Sequence, residues 1–141
     1  MDLLIDTNVI LDFLLKRLAF AKAAYVFECC EQGVIKGYFT VSQSTDIFYL
    51  LRREGATAIQ ANALIATLAE TLQPLDNSVE DMNKALTSDM ADYEDALLAQ
   101  TALRANLTYI LTNNLKDFSN SPVTAIGYDE FEHHFQLLVE T

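Results

Sequence analysis

The sequence is poor in the residues that make linkers, disulfides and basic surfaces. It has 4 Gly and 2 Pro in 141 residues, which leaves little room for linkers or long loops. Its 2 cysteines, Cys29 and Cys30, are adjacent, and neighbouring side chains on a helix diverge too far for an ordinary disulfide. They read as small buried apolar residues of a reducing compartment. Lys and Arg number 9 against 20 Asp and Glu, a formal charge of −11. Net charge therefore gives no long-range attraction to nucleic acid; it suits a basic protein partner, or a site that collects cations. No basic segment followed by an apolar one opens the chain, so no signal peptide is expected. The apolar run after Asp6 is broken by Asp12 and is too short to span a bilayer, so the expectation is a cytoplasmic protein with no membrane association. The G-x-S-x-G, P-loop and G-x-G-x-x-G patterns are also missing. His133 and His134 are adjacent on a late helical segment, face different directions and read as surface residues.

What is present is the composition of one globular domain, 1–141, with 51% apolar and 21% charged residues. Leu3-Leu4-Ile5 reads as a strand that ends in Asp6. Thr7 and Asn8 follow, and then an apolar pattern of helical period begins. Helical stretches are expected at 19–32, 43–54, 57–71, 78–86, 96–105 and 129–138. Ser42 is the expected cap of the second of these, and Gly33 and Gly55 the stops of the first two. Strands are expected at 34–41, interrupted at Gly37, and at 107–111 and 123–126, with a short extended piece at 73–75. Strands alternating with helices imply βαβ units: an α/β fold with a small parallel sheet between helical layers.

Ligands bind at the carboxyl ends of parallel strands. Asp6 ends the first strand, Asp46 follows the second and Asp117 follows the strand at 107–111, with Thr112 and Asn114 between. Asp92 and Asp95 open the helix at 96–105. Helices antiparallel to the strands begin near the same edge, so these acids are expected to converge. Each has a plainer role open to it. Asp6 and Asp92 suit N-caps, Asp95 an acid favoured by the helix dipole, and Asp117 a turn. Asp46 lies inside an apolar helix, where Asp has poor propensity. Together, carboxylates at one edge repel and raise one another's pKa unless a cation joins them. Oxygen-only ligands fit Mg²⁺ or Mn²⁺, and such an ion supports phosphodiester hydrolysis.

Four stretches resemble the successive motifs of PIN-domain proteins. They are Asp6-Thr7-Asn8-Val9-Ile10-Leu11-Asp12, Ser44-Thr45-Asp46-Ile47 with Tyr49, Asp92-Tyr93-Glu94-Asp95-Ala96, and Ile110-Leu111-Thr112-Asn113-Asn114-Leu115-Lys116-Asp117-Phe118. They occur in register over nearly the whole chain. The resemblance implies a three-layer α/β/α sandwich and Mg²⁺- or Mn²⁺-dependent cleavage of RNA. Many members of this size are VapC-type toxins of VapBC pairs, held by a small antitoxin that also binds DNA. By that resemblance Asp6 is the first metal ligand, Asp95 the second, and Asp46 the acid that orients or bridges the ion. Asp92 and Asp117 support the site, and with Asp92 as cap either it or Asp95 faces the ion. Thr112 and Asn114 hold the first carboxylate and a water, while Asn8 helps turn the chain into its helix. Lys16, Arg17, Arg52, Arg53 and Lys116 lie beside these motifs as candidates for RNA-backbone contacts.

Two positions depart from the family pattern. Many members have Glu where Asp46 stands and Asp where Asn114 stands, which leaves one ion or two open. The expected activity is that of a metal-dependent endoribonuclease toxin. The alternative is a weakened PIN-like module that binds a protein or RNA without cutting. A receiver-like or haloacid-dehalogenase-like phosphotransferase is disfavoured, because Thr7-Asn8 follows Asp6 where such phosphatases carry a second Asp. The Ala/Leu-rich helix within 56–72 suggests a homodimer.

Overall fold

Strand β1 (Asp2–Ile5) buries residues on both faces, as a central strand of a parallel sheet must. In the computed structural model, which describes residues 1–140 with side chains through Phe135, Leu3 and Ile5 enter one core and Leu4 the other. Thr141, and the side chains of the expected C-terminal helix beyond Phe135, lie outside the described residues.

The chain continues through α1 (Thr7–Leu14), α2 (Phe20–Glu31), β2 (Lys36–Thr40), α3 (Val41–Arg53) and α4 (Ala58–Thr71). Then come β3 (Gln73–Leu75), α5 (Val79–Leu86), α6 (Tyr93–Arg104) and β4 (Tyr109–Leu111). A single 3₁₀ turn (Leu115–Phe118), β5 (Ala125–Ile126) and α7 (Tyr128–Glu140) complete it. All strand pairs are parallel, in the order β3-β2-β1-β4-β5. Side chains of α1, α2, α3, α4 and α7 form the core on one face, around Ile10, Phe27, Ile47, Phe131 and Phe135. Those of α5 and α6 form the core on the other, around Ala99, Ile110 and Phe118. This is the expected α/β/α sandwich.

Local chemistry explains most boundaries. Gly33 adopts φ +75° after α2, the left-handed step that glycine makes at least cost. Gly37 does not interrupt β2. A Cβ there would stand 2.7 Å from Leu72 Cδ2 and 2.8 Å from Cys30 Sγ, so glycine lets strand and helices close up. The cap of α3 is Thr40, not Ser42. The Thr40 hydroxyl accepts from the Gln43 N–H at 3.4 Å, and the Gln43 amide oxygen accepts from the Thr40 N–H at 2.7 Å. This reciprocal box lets β2 run straight into α3 with no loop.

A polar network locks α6 against the starts of α3 and α5. Asn77 accepts from the Ser42 N–H at 3.0 Å and donates to the Thr101 hydroxyl at 3.0 Å. Thr101 reaches Asp81, whose carboxylate is gripped by Arg104 Nε at 2.9 and 3.1 Å. Among the described residues no helix is long and apolar enough to cross a membrane.

Candidate metal centre

Strand register decides which side chains meet at the carboxyl edge. Ile5 lies opposite Leu111 in the parallel β1–β4 pair, so Asp6 and Thr112 emerge side by side. The Thr112 hydroxyl donates to Asp6 Oδ2 at 2.8 Å, and the Thr7 N–H donates to Oδ1 at 2.8 Å. The Asp6 N–H donates to the Leu111 carbonyl at 2.9 Å. Asp6 is therefore both the N-cap of α1 and a pinned carboxylate, only 5% exposed. Burial pushes its pKa up. The bonds from Thr112 and Thr7 pull it back, and the charges of Asp117 and Asp12 raise it again, leaving it above the ordinary value.

The second acid comes from α6, which begins at this same edge because it leads back into β4. Asp92 is its N-cap and accepts the Asp95 N–H at 3.0 Å. That places Asp95 one turn in and half-buried. Its own carboxylate accepts no hydrogen bond among the described residues. Burial, then the charges of Asp92, Asp6, Asp117 and Glu94, push Asp95 up to about 7. Asp6, Asp92, Asp95 and Asp117 thus share one electrostatic neighbourhood. Asp117 sits exposed on the 3₁₀ turn, where its Oδ2 accepts from Asn114 Nδ2 at 2.7 Å.

Several side chains sit differently from expectation. Asn114 holds Asp117, and only its backbone N–H reaches the Asp6 network, donating to Thr112 Oγ1 at 3.0 Å. Asn8 is exposed and makes no side-chain hydrogen bond among the described residues, since Asp6 itself turns the chain into α1. Asp46 is half-buried and raised by burial. Its charge acts on Glu94 but is not among those that act on Asp6 or Asp95. Arg17 lies 4.0 Å from Asp12 rather than free in solvent. Arg52 and Arg53 occupy the far end of α3, and Arg52 donates to the Ala56 carbonyl at 3.4 Å. At 1.5 Å per residue they are roughly 16–18 Å along the axis from the end nearest the site. Lys116 does lie at the edge, beside Asn114 and Asp117, in a groove of about 540 Å³ that also takes in Leu115, Tyr128 and Lys22. Lys22 is tied to Asp129 at 3.1 Å.

Three residues beside the site have no role assigned from the sequence. Gln43 is 2% exposed and donates to the Ile5 carbonyl at 2.9 Å and the Thr7 hydroxyl at 3.1 Å, joining the ends of β1 and β2. The signal for it was the Thr40-x-x-Gln43 spacing of a capping box. Asp12, which closes the first PIN-like motif without a role assigned to it, is 5% exposed and hydrogen-bonded to Asn113 and Tyr128. Glu94 adds to the field at Asp95. The cysteines are free, and burial, then Cys29, push the Cys30 thiol up to about 12, so it is no nucleophile at neutral pH.

Among the described residues, no three His, Cys, Asp or Glu side chains stand ready to hold one ion between them. The donor set fits a hard cation of lower demand. Mg²⁺ keeps several waters and takes one or two carboxylates. Asp6 is fixed in place, while Asp95 has unused lone pairs and a field that penalises its charge.

The PIN-domain family model matches residues 2–116. No curated protein sequence matches the chain. Among solved structures, VapBC2 from Rickettsia felis bound to a promoter DNA fragment is similar at 15% identity, over 90% of this chain and 98% of that one, with a TM-score of 0.71. A toxin–antitoxin complex from Klebsiella pneumoniae is similar at 17% identity, over 89% and 96%, with a TM-score of 0.67. VapBC-1 from nontypeable Haemophilus influenzae follows at 14% identity, over 92% and 99%, with a TM-score of 0.65. At such identities the likeness is one of fold. The family match rests on sequence, takes in the Asp6, Asp46, Asp92 and Asp95 segments and ends at Lys116, and by it the chain belongs to the PIN-domain family.

Proposed function

We propose that this protein is a Mg²⁺- or Mn²⁺-dependent endoribonuclease and the toxin of a toxin–antitoxin pair. The observation that carries the reading is Asp95. It is a half-buried carboxylate with no hydrogen-bond partner among the described residues, pushed up to about 7 by burial and by Asp92, Asp6, Asp117 and Glu94. A divalent cation relieves that field, and Asp6 and Asp95 are the residues that would hold it, with Asp92 and Asp117 adding charge around it. When bound, such an ion supplies Lewis acidity: a more acidic water, and neutralisation of charge developing on the phosphate.

The chain's own residues do the rest. Thr112 and Thr7 orient the Asp6 carboxylate. Gln43 holds the β1 end that carries it. Asn114 fixes Asp117, and Lys116, in the groove beside Thr112 and Asn114, is the candidate for a contact to the RNA backbone. Asp46 is proposed as an outer acid, acting with Glu94 rather than bridging to Asp6.

The test is cleavage of RNA with Mg²⁺ or Mn²⁺ by the wild type and by Asp6→Asn. Cleavage by the wild type alone supports the site, and equal cleavage by both rules it out. The weakened-module reading draws on the lack, among the described residues, of a ready-made three-acid cluster. Calorimetric titration with Mn²⁺ separates the two, since micromolar to millimolar binding argues against a dead site. The antitoxin partner is supported by the toxin–antitoxin complexes among the similar folds. Co-expression with the product of the adjacent reading frame should suppress toxicity. Self-association through α4, which exposes Ile59, is proposed too and is checked by light scattering. An RNA substrate puts the work in the cytoplasm.

A further inference from the structure

Asp12 is a buried carboxylate that the proposed chemistry does not use. It is 5% exposed on α1, among the apolar side chains Val9, Ile10 and Leu11. A charge in such a place is expensive unless it is partnered. Its partners come from two distant parts of the chain. Oδ2 accepts the Tyr128 hydroxyl at 2.7 Å and Asn113 Nδ2 at 2.8 Å, while Oδ1 faces Arg17 Nη1 at 4.0 Å. Burial, then the bond to Asp12, push the Tyr128 hydroxyl up, so it remains a donor throughout the neutral range.

What these bonds hold is the informative point. Asn113 is the middle residue of Thr112-Asn113-Asn114. On one side of it, Thr112 donates to Asp6 at 2.8 Å. On the other, Asn114 donates to Asp117 at 2.7 Å, and its N–H closes back on the Thr112 hydroxyl at 3.0 Å. Tyr128 opens α7 two residues after β5. One carboxylate oxygen therefore ties α1, the end of β4 and the start of α7 into a single unit, and the two acid-holding residues flank its anchor. We propose that Asp12, Asn113 and Tyr128 form a positioning unit that holds the end of β4, and through it the Asp6 and Asp117 carboxylates, in the arrangement a divalent cation needs. The inference rests on the metal reading given above. None of the three need touch substrate.

The geometry makes a sharp distinction among variants. Both donors aim at the same oxygen, so Asp12→Asn keeps an acceptor for each while losing the charge. Tyr128→Phe and Asn113→Ala each remove a donor, and Asn113 is exposed enough for its variant to fold. Outer partners of metal ligands commonly change affinity by roughly 10–100-fold. Two measurements decide the matter: amide hydrogen exchange at Asn114 in the metal-free protein, and calorimetric Mn²⁺ titration. The expected result is up to ~10-fold faster exchange at Asn114 in Tyr128→Phe and Asn113→Ala, with Mn²⁺ bound about 10-fold or more weakly. Asp12→Asn should stay within about 3-fold of wild type in both, rescued by its remaining acceptor, whereas Asp12→Leu behaves like the donor deletions. Wild-type exchange at Asn114 in both donor deletions, with only a lowered Tm, would mean a merely structural buried acid and would overturn the inference. Should the wild type itself take up no Mn²⁺, the metal reading fails, and exchange at Asn114 alone decides the positioning role.

Discussion

Replacing Asp95 with Asn removes one negative charge from the acid cluster and keeps the shape of the side chain. Its carboxyl is displaced from 3.8 to about 7, first by burial and then by the charges of Asp92, Asp6, Asp117 and Glu94. At about 1.4 kcal/mol per pH unit, that displacement sets a ceiling of about 4 kcal/mol on the cost of ionising Asp95 in the metal-free fold. The side chain keeps part of its surface in water, so screening brings the figure to roughly 2 kcal/mol. The sign follows from proton linkage. The folded state holds the Asp95 proton more tightly than the unfolded chain, so the associated stability is fully present below 3.8 and is lost as pH rises through about 7.

The assay is urea or thermal unfolding in EDTA at about pH 5 and about pH 8, then again with Mg²⁺. In EDTA near pH 8, Asp95→Asn should be the more stable protein by roughly 2 kcal/mol, or about 8 °C in Tm for a domain of this size. Near pH 5 the gap should shrink, because the wild-type proton is then largely in place. Added Mg²⁺ should stabilise the wild type by mass action and leave the variant unmoved. A substitution that stabilises the fold while abolishing cleavage is what a strained functional site produces. If Asp95→Asn were less stable than wild type in EDTA at the higher pH, the acid cluster would not be under electrostatic strain, and the main support for a cation there would go.

Gln43→Leu should destabilise the fold by about 3 kcal/mol in urea unfolding, because three bonds are lost and the buried Thr40 N–H is left without its acceptor. Asp81 is pushed up by burial but held below its ordinary value by the Ser78 N–H, Arg104 and the Ser78 hydroxyl. The stability it contributes is therefore present above the unfolded carboxylate pKa and lost as pH falls through its depressed folded value. Arg104→Ala should cost about 3 kcal/mol near neutrality and flatten that acid limb, measured by unfolding between about pH 2 and pH 6. Lys116→Ala should weaken RNA binding and lower the slope of log K against log salt by about 1, while Arg52→Ala and Arg53→Ala leave both unchanged, as read by fluorescence anisotropy across salt concentrations.

The parallel sheet and its carboxyl edge were legible because their signals are local. Leu3-Leu4-Ile5 followed by Asp6 is a strand ending in a cap, and Ser78-x-x-Asp81 is a capping box that the fold keeps intact. Boundaries failed where a neighbouring residue offered a better partner. Ser42 looked like the cap of α3, but Thr40 has Gln43 three residues on, and the reciprocal bonds win. Gly37 looked like a break, yet the packing of Leu72 and Cys30 against β2 requires its missing side chain. Side-chain partners across the sheet were the least visible. That Asn113 and Tyr128 both turn to Asp12 depends on how β4 and α7 meet α1, and those contacts lie 101 and 116 residues apart in sequence. Nor does the sequence reveal that the charge of Asp46 falls on Glu94.

The contrast between Asp6 and Asp95 gives the site its logic. Asp6 is fixed from both sides, by Thr112 and by the first turn of its own helix, so its position is set before any ion arrives. Asp95 is fixed only through its backbone, by Asp92, and its carboxylate accepts nothing among the described residues. A site built solely for stability would have given Asp95 a donor, as it gave Asp81 to Arg104 and Asp12 to Tyr128. Withholding one leaves unpaired lone pairs in the field of Asp92, Asp6, Asp117 and Glu94, a state that folding alone does not favour. On the proposed reading a divalent cation would resolve that state, and the free acid would then stand in the first turn of α6 because Asp92 fixes its backbone there and leaves its side chain to adapt.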